Sequence, residues 1–275
     1  MSLSFCSFSS GSNGNCYLVK TDEAAVLIDA GISATRILKE LERTETPREK
    51  VKALFLTHEH HDHVTGARVL LKKLTESKVY ASAGTIEGTK RRDAYKKLSF
   101  ENEIYESRQI AIIPNEEITI GDIKVRAFRT LHDAEEPYGY SVSSKDKRVA
   151  LVTDTGVMTE EMLESIADAD VLVLEANHDT ELLRCGRYPV YLKRRILSDH
   201  GHLSNSQAAD TILRLFKLLD KKRVVLLAHL SGENNTPAIA ERTVLTALAR
   251  EGRYTGSDLY MGVLLRDEAS LLYRL

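Results

Sequence analysis

The stretch Thr57-His58-Glu59-His60-His61-Asp62-His63 concentrates ligand-type side chains directly behind the apolar run Val51-Lys52-Ala53-Leu54-Phe55-Leu56. That run reads as a buried strand, so the polar burst falls at a strand end, where α/β folds favour active sites. His58 and His60 are two apart; in extended chain both point the same way and can share one cation. Asp62 and His63 are adjacent, face differently and suit a second cation. The zincin helix motif H-E-x-x-H does not fit, because Asp62 stands four after His58. By the same geometry His61 points away from its neighbours in an extended segment and takes a supporting role.

The same rule, polar residues where apolar strands stop, picks out Asp29, His132, Asp154, the pair Asn177-His178, and His229. His132 follows Val125-Arg126-Ala127-Phe128-Arg129-Thr130-Leu131, Asp154 follows Val149-Ala150-Leu151-Val152-Thr153, and His229 ends the run that starts at Val224. A structural zinc takes four protein ligands and a catalytic one about three. His58, His60, Asp62, His63, His132, Asp154 and His229 therefore exceed what one ion can use. With Asp154 shared as a bridge, His58, His60 and His132 complete one site, and Asp62, His63 and His229 the other. Two divalent ions roughly 3.5 to 4 Å apart activate water and clamp both the attacking and the leaving oxygen, so hydrolysis is the expected chemistry. Nitrogen and carboxylate donors suit zinc, manganese and iron alike.

These residues must be carried by elements that the pattern also supplies. Residues 3 to 8 and 15 to 20 read as strands joined through Ser12-Asn13-Gly14-Asn15, with Asn-Gly as the hairpin signal. A third strand ends at Val26-Leu27-Ile28-Asp29, a helix covers 33 to 43, and helices follow around 64 to 74 and 84 to 97. Later come strands near 117 to 128 and 139 to 153, a helix near 159 to 166, the strand Val171 to Leu174, a helix from 205 to 219 and the strand Val224 to Leu227. Strands of both halves are too apolar to leave one face wet. Two mixed sheets packed together and flanked by helices, an αββα sandwich of the α/β class, satisfy that pattern. No linker or repeat divides the chain, so residues 1–275 are read as one domain.

The chain has 275 residues, 43% of them hydrophobic, enough for a sizeable core. A formal net charge of -2 provides no global basic field, so nucleic-acid affinity has to come from a local patch. Cys6, Cys16 and Cys185 are odd in number and widely spaced, which argues against a disulfide scaffold and fits a reducing cytoplasm. Residues Met1 to Phe5 lack the pattern of an export signal, and no apolar run approaches membrane-spanning length.

Asp29, the H-x-H-x-D-H of His58 to His63, His132, Asp154 and His229, in that order, resemble the five motifs of the metallo-β-lactamase fold. The resemblance implies that Asp29 holds the histidine loop rather than a metal. A complete Asp62-His63 pair, and Asp154 where antibiotic-hydrolysing members commonly have cysteine, set this chain apart from lactamases. The segment His202-Leu203-Ser204-Asn205-Ser206-Gln207 contains a capping box that opens a helix beside His202, a place suited to phosphate. Resemblance to ribonuclease Z implies that His202 contacts the scissile phosphate and assists the leaving oxygen. Closer still, Ser10-Gly11-Ser12-Asn13-Gly14-Asn15-Cys16, Leu131-His132-Asp133-Ala134-Glu135-Glu136-Pro137, Thr153-Asp154-Thr155-Gly156, Glu175-Ala176-Asn177-His178-Asp179, Gly201-His202-Leu203-Ser204-Asn205 and Ala228-His229-Leu230-Ser231 resemble the YycJ/WalJ family of nucleases. This implies an exonuclease acting on duplex DNA from a 5′ end, with Asp62, Asp154 and His202 in catalysis.

Substrate contacts are expected from His178, Asn177, Ser204, Arg194 and Arg195. Arg184, Arg187, Lys193, Arg194 and Arg195 form a basic segment with no acidic residue from 182 to 198, suited to a phosphate backbone. A second cluster, Lys90, Arg91, Arg92, Lys96 and Lys97, lies on an outer helix. The Gly11 to Gly14 turn matches neither a P-loop nor G-x-G-x-x-G, and no G-x-S-x-G occurs, which disfavours a nucleotide cofactor and a serine hydrolase. An RNA-processing nuclease and a thioester or lactone hydrolase on the same scaffold are the rivals; His202 and the basic segment discriminate against the latter.

Overall fold

The computed structural model describes residues 2–93 and 105–275. Among them the strands are β1 (Ser4–Ser9), β2 (Cys16–Lys20), β3 (Ala25–Ile28), β4 (Val51–Phe55), β5 (Lys78–Ala81), β6 (Gln109–Ala111) and β7 (Glu117–Ile120). They continue as β8 (Ile123–Arg129), β9 (Tyr138–Ser144), β10 (Lys147–Val152), β11 (Val171–Glu175), β12 (Arg223–Ala228), β13 (Leu259–Val263) and β14 (Tyr273–Arg274). Two seven-stranded mixed sheets result, ordered β14-β1-β2-β3-β4-β5-β6 and β13-β12-β11-β10-β9-β8-β7. Each begins with antiparallel hairpins and finishes with parallel strands, β3 to β6 in the first and β10 to β13 in the second.

Strand alternation assigns the layers. Phe5, Tyr17, Val26 and Phe55 of the first sheet meet Val125, Tyr140, Leu151 and Val173 of the second in a buried layer between the sheets. Residues one step along, such as Cys6, Leu18, Leu27 and Leu54, face outward onto Ile37, Leu41 and Leu70 of the helices Ala34–Arg43 and Ala67–Leu71. On the opposite side Ala150, Val152, Leu172 and Leu227 meet Met162, Ile212 and Val244 of the helices Glu160–Ile166, Asn205–Leu218 and Pro237–Arg250. Both faces of each central strand are thereby dry, which is why the strands read as continuous apolar runs. This is the αββα sandwich expected. No described helix is long and apolar enough to cross a membrane.

Several local expectations change. The strand regions near 117 to 128 and 139 to 153 are two hairpins, β7-β8 and β9-β10, because tight turns follow Ile120 and Ser144. The helix expected over 64 to 74 starts earlier and is interrupted, as His61–Val64 and Ala67–Leu71. Gly66 marks the break: its N–H donates to the Ala30 carbonyl at 2.7 Å, and a Cβ there would stand 2.0 Å from the Ile32 carbonyl oxygen. The outer helix expected over 84 to 97 is described over Ala83–Asp93. Residues 94–97, with Lys96 and Lys97, lie outside the described residues, as does the side chain of Arg92. The helices Thr180–Cys185, Val190–Ile196 and Pro237–Arg250, the strand β5 and the edge strands β6, β13 and β14 are additional.

Candidate metal centre

β8, β10, β11 and β12 run in one direction, so their C-terminal ends share one edge, and the ends of β3 and β4 meet them from the other sheet. Asp29 follows β3, the histidine loop follows β4, and His132, Asp154, Glu175 and His229 lie at or just beyond the ends of β8, β10, β11 and β12. Asp29, Asp154 and His229 have φ of 59°, 59° and 55°. A left-handed backbone at three non-glycine residues, all at strand ends and all in one cluster, is strain concentrated where side chains have to be aimed. Asp and His are among the few residue types that tolerate it.

The extended chain stops at His60, and His61–Val64 makes one helical turn. Asp62 and His63 are therefore presented from a helical turn rather than from the extended segment expected, and His61 is exposed, its Nδ1 beside the Thr65 hydroxyl. Gly31 lets this turn dock: a Cβ there would lie 1.6 Å from the Asp62 carbonyl oxygen. The Asn15 N–H donates to that same carbonyl at 2.8 Å, fixing the Gly11 to Asn15 hairpin turn against the loop.

Potential ligand atoms of His58, His60 and His132 lie within 4.8 Å of one another, as do those of Asp62, His63 and His229. Asp154 stands between the two groups, with one oxygen 3.4 Å from His63 Nε2 and the other 3.5 Å from His229 Nε2 and 3.8 Å from His132 Nε2. Four rings have one nitrogen engaged by the surrounding fold. His63 Nδ1 is 2.7 Å from Asp29 Oδ2, His132 Nδ1 is 2.9 Å from the Gly201 carbonyl, His229 Nδ1 is 3.0 Å from Glu175 Oε1, and His58 Nδ1 is 3.0 Å from the Thr57 hydroxyl. In the first three an oxygen acceptor fixes the tautomer, leaving Nε2 to face the cluster, the arrangement that orients histidines for metals. Asp29 also accepts from the Thr57 N–H at 2.9 Å.

The donor set fits divalent cations. His58 Nε2 and Asp154 Oδ2 are buried and make no hydrogen bond within the protein, an expense that a bound cation repays. Burial pushes the His58 imidazole well below its ordinary value and the His132 imidazole down to about 4, so this side supplies neutral nitrogens. On the other side burial is outweighed by carboxylates. Asp154, Asp62 and Glu175 hold His229 up at about 10, and Asp29, Asp154 and Asp62 raise His63 well above its ordinary value. Burial likewise fails to raise Asp62, which His63 and His229 hold below the usual carboxylate range.

Glu175 was not singled out by sequence reasoning. It is fully buried, and Oε1 lies 2.8 Å from His202 Nδ1 as well as 3.0 Å from His229 Nδ1. Oε2 accepts from the Thr155 and Leu203 N–H groups at 3.0 and 3.3 Å. The available signal was a carboxylate ending the unbroken apolar run Val171 to Leu174. His202 joins the cluster, its ring centre 4.8 Å from that of His132 and 5.4 Å from that of His229, and its side chain is 16% exposed.

Other expected substrate contacts are placed differently. Asn177 is buried, and its amide donates to the His229 carbonyl at 2.9 Å, bracing the left-handed turn. Ser204 is buried in the capping box: its hydroxyl accepts from the Gln207 N–H, and the Gln207 side chain accepts from the Ser204 N–H. The Asn205 N–H donates to the His178 carbonyl. These groups are spent within the protein, and of this segment His202 faces the cluster. The His178 ring is buried with neither nitrogen hydrogen-bonded, and burial pushes it down to about 4. Arg195 and Arg91 line a cleft of about 400 Å³ that also touches His60 and Asp62. Arg195 pairs with Asp133, and Arg91 pairs with Glu135 at 3.1 Å. Arg194 is exposed on the outer side of its helix.

Comparison with known proteins agrees with this fold. Residues 24–230 match the β-lactamase superfamily domain. The chain is 36% identical over 252 residues to exodeoxyribonuclease YycJ of Bacillus anthracis, covering 92% of this chain and 91% of that protein. It is also 36% identical over 250 residues to exodeoxyribonuclease WalJ of Streptococcus pneumoniae, covering 90% and 89%. Among solved structures, the metallo-β-lactamase fold protein YhfI of Bacillus subtilis superimposes with a TM-score of 0.68 over 100% of both chains at 17% identity, a likeness of fold. The chain belongs to the β-lactamase superfamily and, within it, to the family of the YycJ and WalJ proteins.

Proposed function

We propose that this protein is a two-metal phosphodiesterase that shortens double-stranded DNA from a 5′ end. The observation that carries the reading is His202, a partly exposed histidine held against the metal cluster by the buried carboxylate of Glu175. Phosphodiester cleavage passes through a dianionic transition state and expels an alkoxide, both of which a protonated histidine placed here relieves, whereas a thioester expels a thiolate that departs without a proton. The choice of DNA follows the exodeoxyribonuclease relatives.

His58, His60, His132 and Asp154 would hold one divalent ion, and Asp62, His63, Asp154 and His229 the other. Zinc, manganese and iron all suit these donors. Ions bound there supply water acidic enough to ionise near neutral pH and compensate the charge of a phosphate. Asp154 would supply negative charge to both ions and Asp62 to the second. Glu175 fixes the His202 ring through Nδ1, so that a protonated Nε2 faces the scissile phosphate and passes its proton to the departing oxygen. Arg195, at the mouth of the cleft, takes a phosphate of the incoming strand.

The test is a panel of end-labelled duplex DNA with a 5′ phosphate or a 5′ hydroxyl, single-stranded DNA, precursor RNA and a thioester, each given to manganese- or zinc-loaded protein. Stepwise release of nucleotides from the 5′ end of the duplex is expected. Turnover of the thioester alone, or of RNA alone, would overturn the reading.

A further inference from the structure

The helix Val190–Ile196 turns apolar and cationic groups outward together. Val190 is 64% exposed and Tyr191 73% exposed, with no core beneath them. Arg187 and Arg194 beside them are exposed, and their side chains make no ion pair among the described residues. Of the neighbouring acids, Glu181 pairs with Arg184 and Asp133 with Arg195, and Asp199 beyond the helix end is exposed. The same helix reaches the active-site opening: Arg195, one turn after Tyr191, lines the cleft beside His60 and Asp62. The face is therefore continuous with the cleft and complementary in charge to a phosphate backbone. An exposed aromatic ring among unpaired arginines is the combination that takes bases by stacking and phosphates by charge.

We propose that this face docks the end of double-stranded DNA, with Tyr191 stacked on the terminal base pair and Arg187 and Arg194 on backbone phosphates. The strand leaving that platform enters the cleft at Arg195. Inside a duplex every base is covered above and below by its neighbours; only an end presents an open face to a tyrosine. The platform would thus select ends over internal sites. The inference deepens the nuclease reading and rests on it.

Binding is measured by fluorescence anisotropy with metal-loaded protein and a short blunt duplex whose 5′ linkages are phosphorothioates resistant to cleavage. The same duplex closed at both ends by hairpin loops serves as comparison. Tyr191→Ala is expected to weaken binding of the open duplex on the order of tenfold and to leave the closed one unchanged. Arg187→Ala and Arg194→Ala weaken both and each lower the salt dependence by about one ion. Tyr191→Ala binding both duplexes as the parent protein does would overturn the platform. If that variant also degrades duplex DNA normally, the nuclease reading stands and the platform alone falls. If the parent protein neither binds nor cuts DNA, both fall.

Discussion

Glu175 Oε1 sits 2.8 Å from His202 Nδ1, and the carboxylate is completely buried. Burial by itself would raise its pKa, but His202 and His229, both hydrogen-bonded to it, hold it below the usual carboxylate range. One carboxylate thus orients a histidine of the candidate metal cluster and the histidine proposed to act on the phosphate. Glu175→Gln is nearly isosteric, but its NH2 must face either the two rings that share Oε1 or the Thr155 and Leu203 N–H groups at Oε2, donor against donor in both orientations. We expect turnover to drop by about 10- to 100-fold with the fold intact, measured as kcat on duplex DNA alongside thermal melting.

His202 and Asp154 should separate cleanly. Asp154→Ala removes the residue common to both ligand groups, and metal content measured by atomic spectroscopy should fall together with activity. His202→Ala should retain the metals and lose turnover by about 10²- to 10⁴-fold. Loss of metal from the His202 variant would place it among the ligands instead.

Metal loading should release protons. His229 is held up at about 10 by surrounding carboxylates, so in chelated protein near pH 7.5 its ring carries a proton that a cation has to displace, and carboxylates raise His63 in the same direction. Calorimetric titration of metal into chelated protein, repeated in buffers of different ionisation enthalpy, should report release of about one proton or more. His229→Ala should reduce that number. Release that does not change with the variant would contradict the assignment.

Acid should weaken the chelated protein over a defined window. The His178 ring is buried with neither nitrogen hydrogen-bonded, and burial depresses it to about 4, below the ordinary value of 6.5. The unfolded chain takes up a proton as pH falls below about 6.5, whereas the folded ring stays neutral until about 4. Stability from this group is therefore complete above the unfolded value and declines as pH falls between the two, by about 2 kcal/mol at pH 5. His178→Leu removes the loss and an unpaired buried polar ring. Urea denaturation should show the variant gaining on the parent protein at pH 5 more than at pH 7.5.

Most of the cluster was legible because it obeys a local rule. Each ligand-type residue follows an apolar run, and a run of β-branched and aliphatic residues announces its own strand and the place where it stops. His58 to His63, His132, Asp154 and His229 were found that way without any pairing information. The layered fold followed from the same runs, since strands dry on both faces require cover on both sides. Glu175 obeys the rule too, yet one carboxylate at a strand end carries no chemistry until its partners are known. Those partners, His202 and His229, lie 27 and 54 residues further along the chain.

Two further features depended on three-dimensional closure. The capping box before Gln207 reads correctly from sequence, but whether its N–H groups remain open to a phosphate depends on neighbours from elsewhere. Here the His178 carbonyl takes the Asn205 N–H and the Ser204 hydroxyl takes the Gln207 N–H. Similarly, the basic segment from 184 to 195 shows its charge in the sequence. Only packing separates Arg195, which turns into the cleft, from Arg194, which turns to solvent. Side-chain type and strand ends are properties of consecutive residues and are written locally. Partnership, tautomer and exposure belong to groups brought together by the two sheets, and they exist only once those sheets have closed on each other.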